Sequence, residues 1–462
     1  MNFSDLRFWE ILLMGFLVWL ALRKLAAFVQ IPWQADRGML AVLSLCLLFA
    51  VGWKTLMIFL YVALLTYFAL SVARFWRVPE RPLLWVLVPL QVAPLVYYKY
   101  GDFLGNGILH LQRPELAQLA IPVGISFYTF QKISFVIDTL HFRKPIPPFL
   151  DYLNYVSFFP QIVAGPIERR ENLLPQISRF QLHFNLANVV AGLPWVILGF
   201  FFKCGLADNL AEAFPRADAG NAYLIWYANL LFGFRIYFDF AGYSFIALGL
   251  ARCLGVGLTL NFCSPYCAAN MADFWHRWHV SLSQWFRDYL YIPLGGGRGG
   301  RWWCNILLVF VISGIWHGAG WNFILWGFLH GLFLIAYRLF PLSLSSAAGR
   351  GVTLAAVMFS WLFFYETDFQ LLMRKVMSLF SPQAYGFTEL AVLGEGLAKP
   401  EGLLSLVLIG FSLLVIGIEA RSLRSEGRPY GTFFRPWVLV LLIIFTVWMA
   451  PGKSSAFIYF AF

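Results

Sequence analysis

Apolar runs long enough to cross a lipid bilayer recur along almost the whole of this chain, and they leave few folds open to it. A helix needs about 20 apolar residues to cross the hydrocarbon core. Runs approaching that length lie at 9–29, 38–52, 55–73, 83–98, 186–206, 222–238, 240–258, 303–316, 321–339, 352–365, 403–419 and 436–450. Lipid offers the backbone no hydrogen-bond partners, so spanning segments are helices or closed barrels, and runs this long predict helices. The expected fold is all-α: a polytopic integral membrane protein with about 11–13 transmembrane helices. Several runs are short, which predicts tilted or broken pieces, or pieces buried by their neighbours.

Composition supports this reading. Sixty per cent of the 462 residues are hydrophobic and 12% are charged, against about 25% charged in soluble domains. No polar stretch is long enough to fold separately, so residues 1–462 are expected to form a single transmembrane domain. It divides into N-terminal helices (1–110), a core (117–340) and C-terminal helices (341–462). The first run is not expected to be a cleaved signal, because Asp5 and Glu10 stand at its start, Arg23 and Lys24 follow, and no small-residue cleavage site appears. The positive-inside rule puts the N-terminus outside and residues 23–37 in the cytoplasm, with the loops at Arg74, Arg77 and Arg81 and at Arg421, Arg424 and Arg428. A net charge of +11 then reflects basic cytoplasmic loops. No nucleic-acid recognition motif accompanies it, so no nucleic-acid partner is expected.

The segments 117–137, 149–167 and 265–292 mix apolar residues with Pro, Gly and charge. They suit re-entrant or interfacial helices. Irregular backbone at membrane depth survives only where protein or a water-filled cavity surrounds it, so these segments are expected to wall a cavity. Two histidines sit in tryptophan-rich apolar sequence, His279 within 273–291 and His317 within 312–327. An ionisable side chain at membrane depth is costly and is a functional-site hypothesis by default.

Six cysteines are scattered, with no disulfide framework. Cys263-x3-Cys267 followed by His276 and His279 superficially suggests zinc, but the spacing is short for a zinc-finger hairpin. Small packing residues explain the cysteines better, and no metal is expected. The stretch LGGGRGGR (294–301) has no Gly-Lys-Ser/Thr after its glycines and reads as a flexible turn.

Longer signatures point to a family. IPVGISFYTFQKISFVID (121–138), FFPQIVAGPIERRENLLPQ (158–176), YFDFAGYS (237–244), FWHRWHVSLSQWFRDYLYIPLGG (274–296) and WHGAGWNFILWG (316–327) occur in this order. The chain resembles the membrane-bound O-acyltransferases, in their bacterial polysaccharide O-acetyltransferase branch, and FIYFAF (457–462) looks like that branch's aromatic tail. Residues 340–435 carry no recognised motif.

The resemblance implies a fold with a central tunnel, His317 as the catalytic residue and His279 as a second active-site histidine. From the residues themselves, His317 suits a general base, since burial favours the neutral, proton-accepting imidazole. His279 would orient substrate or stabilise charge. Gly318 and Gly320 could let backbone amides approach an oxyanion, and Asn322 offers a side-chain donor.

Trp316, Asn322, Trp278, Arg277 and Asp288 are the candidate substrate-binding residues. Among the nearby charges, Arg277, Arg287, Asp288, Asp273 and Asp239 are also expected to form structural ion pairs. Trp275, Trp278 and Trp285 suit either interfacial anchors or a tunnel wall, while His276, His330, His141, His183 and His110 are expected to be packing residues bonded to a neighbouring carbonyl.

No bound cofactor is expected. Acetyl-CoA is the implied donor substrate, and the acetyl group is expected to reach an exopolysaccharide such as alginate or cellulose. Implied partners are a periplasmic or membrane-anchored acetyltransferase, a polysaccharide synthase and secretion complex, and membrane lipids, at a bacterial inner membrane. Alternatives are a D-alanyl transferase of the teichoic acid type, a peptidoglycan O-acyltransferase, and, in a different class, a lipid or glycan transporter or flippase.

Overall fold

A computed structural model describes residues 3, 5–30, 34–162, 165–183, 185–213, 219–340, 346–451, 455, 457 and 458. Most of the 457–462 tail noted above lies outside the described residues. Among the described residues every regular element is helical and there are no strands. Among the described residues eight helices are long and apolar enough to cross a membrane: Leu6–Phe28, Trp53–Phe75, Glu80–Tyr100, Leu186–Glu212, Ala222–Cys253, Trp321–Leu339, Ala347–Tyr365 and Pro400–Glu426. This all-α, polytopic architecture is the one the sequence predicts, with fewer full-length helices than the 11–13 expected.

The difference has two causes. The runs at 222–238 and 240–258 are one continuous helix of 32 residues, Ala222–Cys253. Three other runs form helices of 14 to 16 residues, Asp36–Val51, Trp302–His317 and Pro436–Met449. At 1.5 Å per residue these reach about 24 Å or less, short of a hydrocarbon core about 30 Å thick.

The chain packs as two compact units, residues 1–196 with 244–259, and residues 197–243 with 260–462. In the first unit, the helix Ile125–Leu140 buries residues on every face, which marks it as interior. Gly124 starts it at φ 77°, a backbone conformation available to glycine without a Cβ clash. The segment from 149 breaks into Phe149–Ser157 and Phe159–Ile162 around Phe158. Its freed polar groups find partners: Gln131 donates to the Tyr155 carbonyl at 2.9 Å. The Tyr155 hydroxyl donates to the Glu168 carbonyl at 3.1 Å, and the Glu168 carboxylate accepts from Asn172, from the Thr259 hydroxyl and from the Thr259 backbone.

In the second unit, the segment 265–292 is likewise broken, into Pro265–Cys267, Met271–Arg277, Val280–Phe286 and a π-helical turn Arg287–Tyr291. Beside it, Trp302–His317 and Trp321–Leu339 form a tight helical hairpin. Glycine makes the close approach possible, since a Cβ on Gly314 would run into the Phe323 carbonyl and one on Gly327 into the Phe310 carbonyl.

Candidate active site

His279 stands at the break between Met271–Arg277 and Val280–Phe286, with φ 44° and ψ 54°. A non-glycine residue in this left-handed region is uncommon and is held there by its surroundings. The surroundings here are a short antiparallel clamp. The Val280 amide donates to the Asn261 carbonyl at 3.0 Å, and the Cys263 amide to the Arg277 carbonyl at 2.9 Å. Asn261 is fully buried and its side-chain oxygen accepts from the Ser281 amide at 3.1 Å.

The opposing strand of the clamp is itself pinned. The Tyr430 hydroxyl donates to the Phe262 carbonyl at 3.0 Å and accepts from the Ser264 amide at 3.1 Å. The His279 ring is 1% exposed and meets Phe240 edge-on at 4.7 Å between centroids. Burial lowers its pKa well below the ordinary 6.5, which keeps the imidazole neutral.

His317 is the last residue of Trp302–His317 and is 3% exposed. Its ring lies among Trp316 at 4.9 Å, Trp326 at 4.9 Å and Phe364 at 5.3 Å. Trp316 is also 6.1 Å from the His279 ring. The two histidines, 38 residues apart in sequence, therefore both lie within ring-contact distance of a single indole. Gly318 ends the helix by packing against the face of Phe323, where a Cβ would overlap the ring.

The remaining sequence candidates fall into two groups. Trp278 is buried with them, stacked on Phe274 at 5.6 Å and edge-on to Phe262 at 5.1 Å. Asn322 is buried, and its amide donates to the Phe363 carbonyl at 3.1 Å, tying its helix to Ala347–Tyr365. Arg277 pairs with Asp273 at 2.7 Å and Arg287 with Asp288 at 2.6 Å, both pairs partly exposed. Two expected ion pairs are thus present, and Asp239 makes a third with a residue that the sequence did not single out. Among the described residues no group of three or more His, Cys, Asp or Glu side chains is placed to hold a metal ion. Cys267 lies 3.9 Å from the Ile416 carbonyl.

The unforeseen residue is Lys203. It lies in the π-helical turn Phe201–Ala207, where the Asp208 amide bonds back to the Lys203 carbonyl five residues earlier. This wider turn sets Lys203 and Asp208 on one face. The Lys203 ammonium contacts Asp208 at 2.8 Å and Asp239 at 2.7 Å, all three side chains at most 2% exposed. The ammonium also donates to the Ser455 carbonyl at 3.0 Å, and the Asp239 carboxylate accepts from the Ile458 amide at 2.7 Å. Phe457, between these anchors, packs on Tyr243 at 4.6 Å and on Phe240 at 5.6 Å. The buried triad thus seats a distant segment against the ring that touches His279. A lysine in an apolar run with Asp five residues on was the available signal.

His330, expected to be a packing residue, is fully buried, with Nε2 2.9 Å from the Ser360 hydroxyl and its ring 4.7 Å from Trp326. His276, His141, His183 and His110, expected to pack in the same way, are instead exposed: an imidazole beside water needs no buried partner.

Comparison with known proteins adds an independent line. The model of the membrane-bound O-acyltransferase family matches residues 11–374. A peptidoglycan O-acetyltransferase of Helicobacter pylori is 38% identical over 291 residues, 55% of this chain and 55% of that protein. The chain thus spans little more than half the length of that relative. A probable alginate O-acetylase AlgI of Pseudomonas putida is 30% identical over 416 residues, covering 82% of this chain and 84% of that protein. A teichoic acid D-alanyltransferase of Bacillus subtilis is 28% identical over 265 residues, 54% of this chain and 66% of that protein.

Proposed function

This chain belongs to the membrane-bound O-acyltransferase family, and we propose that it moves an acetyl group from a cytoplasmic thioester donor toward a hydroxyl on the far side of a bacterial inner membrane. The observation that carries the reading is the pair of buried histidines that both meet the Trp316 ring. Residues 1–462 act as one catalytic domain, and a tunnel open to both faces would bring donor and acceptor to this pair. The family match favours acyl transfer over the transport alternative.

His317 is the proposed base. It takes the proton of the acceptor hydroxyl as that oxygen attacks the thioester carbonyl. The tetrahedral oxyanion then collapses, the carbon–sulfur bond breaks, and the proton on His317 passes to the leaving thiolate. His279, kept neutral by burial, orients the acceptor or donates to the oxyanion. Trp316 and Trp278 form the wall of the site. Arg277 and Asp288, partly exposed, contact the polar parts of the substrates, and Asn322 fixes the floor through Phe363.

Acetyl-CoA is the proposed donor. An exopolysaccharide such as alginate or cellulose is the proposed destination, reached through a periplasmic or membrane-anchored acetyltransferase and working beside a polysaccharide synthase and secretion complex. The names of the relatives keep two further acceptor classes in view, peptidoglycan and, with a D-alanyl donor, teichoic acid. Mass spectrometry of cell-envelope polymers from cells with and without the protein separates these, because acetyl and alanyl esters differ in mass. Loss of acetyl esters on one polymer is the expected result. An unchanged ester profile on every polymer would overturn the proposal.

A further inference from the structure

The first unit holds a cavity of about 540 Å³ whose polar lining is dominated by cations: Arg74, Arg77, Arg143 and Lys144, with Glu80 and Thr139. It lies where two helices end. Trp53–Phe75 closes with the Val78 amide bonded to the Ala73 carbonyl at 2.9 Å and Arg77 at φ 52°. Ile125–Leu140 closes on a turn one residue wider, with the Lys144 amide bonded to the Asp138 carbonyl at 3.1 Å and Arg143 at φ 54°. Both are turns whose left-handed position is ordinarily glycine. An arginine occupies that position in each, and both line the same cavity. Strained backbone of this kind persists where its side chain has a use.

Neutralisation accounts for only part of the charge. Arg143 pairs with Glu80 at 3.4 Å, and Lys144 pairs with Glu171 and Asp138. Among the described residues the guanidinium groups of Arg74 and Arg77 have no ion-pair or hydrogen-bond partner. They do not cap the helix-end carbonyls, so attraction to the helix dipoles does not explain their shared placement. Phe75 and Trp76, which stand in sequence between Arg74 and Arg77, are both more than 70% exposed. Exposed aromatic residues beside arginines are characteristic of the membrane–water boundary.

We propose that this cavity is a binding site for a phosphate-bearing anion at the membrane surface, with Arg74 and Arg77 as its principal ligands. Guanidinium forks match phosphate oxygens in pairs, and basic pockets between transmembrane helices bind anionic headgroups. Two sources carry that chemistry, an anionic phospholipid and the phosphates of a coenzyme thioester.

The test uses the full chain with both arginines replaced by glutamine, Arg74→Gln with Arg77→Gln, beside Arg81→Gln, which alters a neighbouring arginine outside the lining. Native mass spectrometry reads retention of phosphatidylglycerol against phosphatidylcholine, and equilibrium dialysis reads binding of coenzyme A. The expected result is binding of one of these anions that falls about tenfold or more in the double variant, as loss of charge-assisted bonds requires, and is kept in Arg81→Gln. Loss in the lipid arm identifies a headgroup site, and loss in the coenzyme arm a donor site. Equal binding by wild type and double variant in both arms, or equal loss in Arg81→Gln, would overturn the proposal. Because the readout is binding, failure of the acyl-transfer reading would leave this result standing.

Discussion

Replacing Lys203 by methionine removes the ammonium that pairs directly with two buried carboxylates and leaves Arg235 as the other cation that interacts with them. Asp208 and Asp239 are at most 2% exposed and lie 2.8 and 2.7 Å from the ammonium. Removing one partner of a buried pair typically costs about 3–5 kcal/mol, because the remaining charge is stranded. Here two carboxylates lose their ammonium and the bond to the Ser455 carbonyl is also lost, while Arg235 still interacts with both carboxylates, so the whole of that range applies. For a chain of 462 residues, with an unfolding entropy of about 2.1 cal/mol/K per residue, this corresponds to roughly 3–5 °C in melting temperature. The assay is thermal unfolding in detergent or nanodiscs followed by intrinsic tryptophan fluorescence. Adding Asp208→Asn and Asp239→Asn to Lys203→Met should recover part of the loss, since no carboxylate is then left without its ammonium, although Arg235 loses both of its acidic neighbours. A Lys203→Met protein that melts with wild type, or a triple variant no better than the single one, would refute the reasoning.

Three further outcomes follow from the site. Asn261→Ala leaves the buried Ser281 amide without its acceptor, at a cost of about 1–3 kcal/mol, and should lower kcat more than it raises KM as His279 loses its fixed turn. Gly318→Ala should cost about 1–3 kcal/mol by driving a Cβ into Phe323, whereas Gly351→Ala, with open space at its Cβ, should leave melting unchanged or slightly raised. For pH, burial holds His279 neutral below its ordinary 6.5, so the unfolded chain binds the extra proton and stability falls as pH drops through that value. Melting temperatures between pH 7 and 5 should therefore fall less steeply in His279→Asn, which tolerates the left-handed backbone, than in wild type; parallel slopes would contradict this.

Much of the fold was legible because membrane helices announce themselves by length and hydropathy. Nine of the twelve apolar runs lie in the eight long helices. The misread break near 239 shows what was not legible. Asp239 separated the runs 222–238 and 240–258, but it lies inside the single helix Ala222–Cys253, where Lys203 pairs with it at 2.7 Å. A charge neutralised by a residue distant in sequence looks the same in the sequence as one that ends a span. His279 and His317 stood out as ionisable groups in apolar sequence, whereas their shared neighbour Trp316 became a bridge only through tertiary packing. Lys203 was overlooked because its partners lie 5 and 36 residues away, the nearer reached by a π-turn, and no periodicity in the sequence marks such a turn.

The most direct test of the proposed centre is a single-turnover assay. Purified protein in nanodiscs is mixed with radiolabelled acetyl-CoA and the purified acceptor, and wild type is compared with His317→Gln. A positioned general base contributes about 10²–10⁴-fold, so the variant should bind donor normally, melt within a few degrees of wild type, and transfer acetyl at least about a hundredfold more slowly. Transfer by His317→Gln at the wild-type rate would contradict the assignment of His317 as the base.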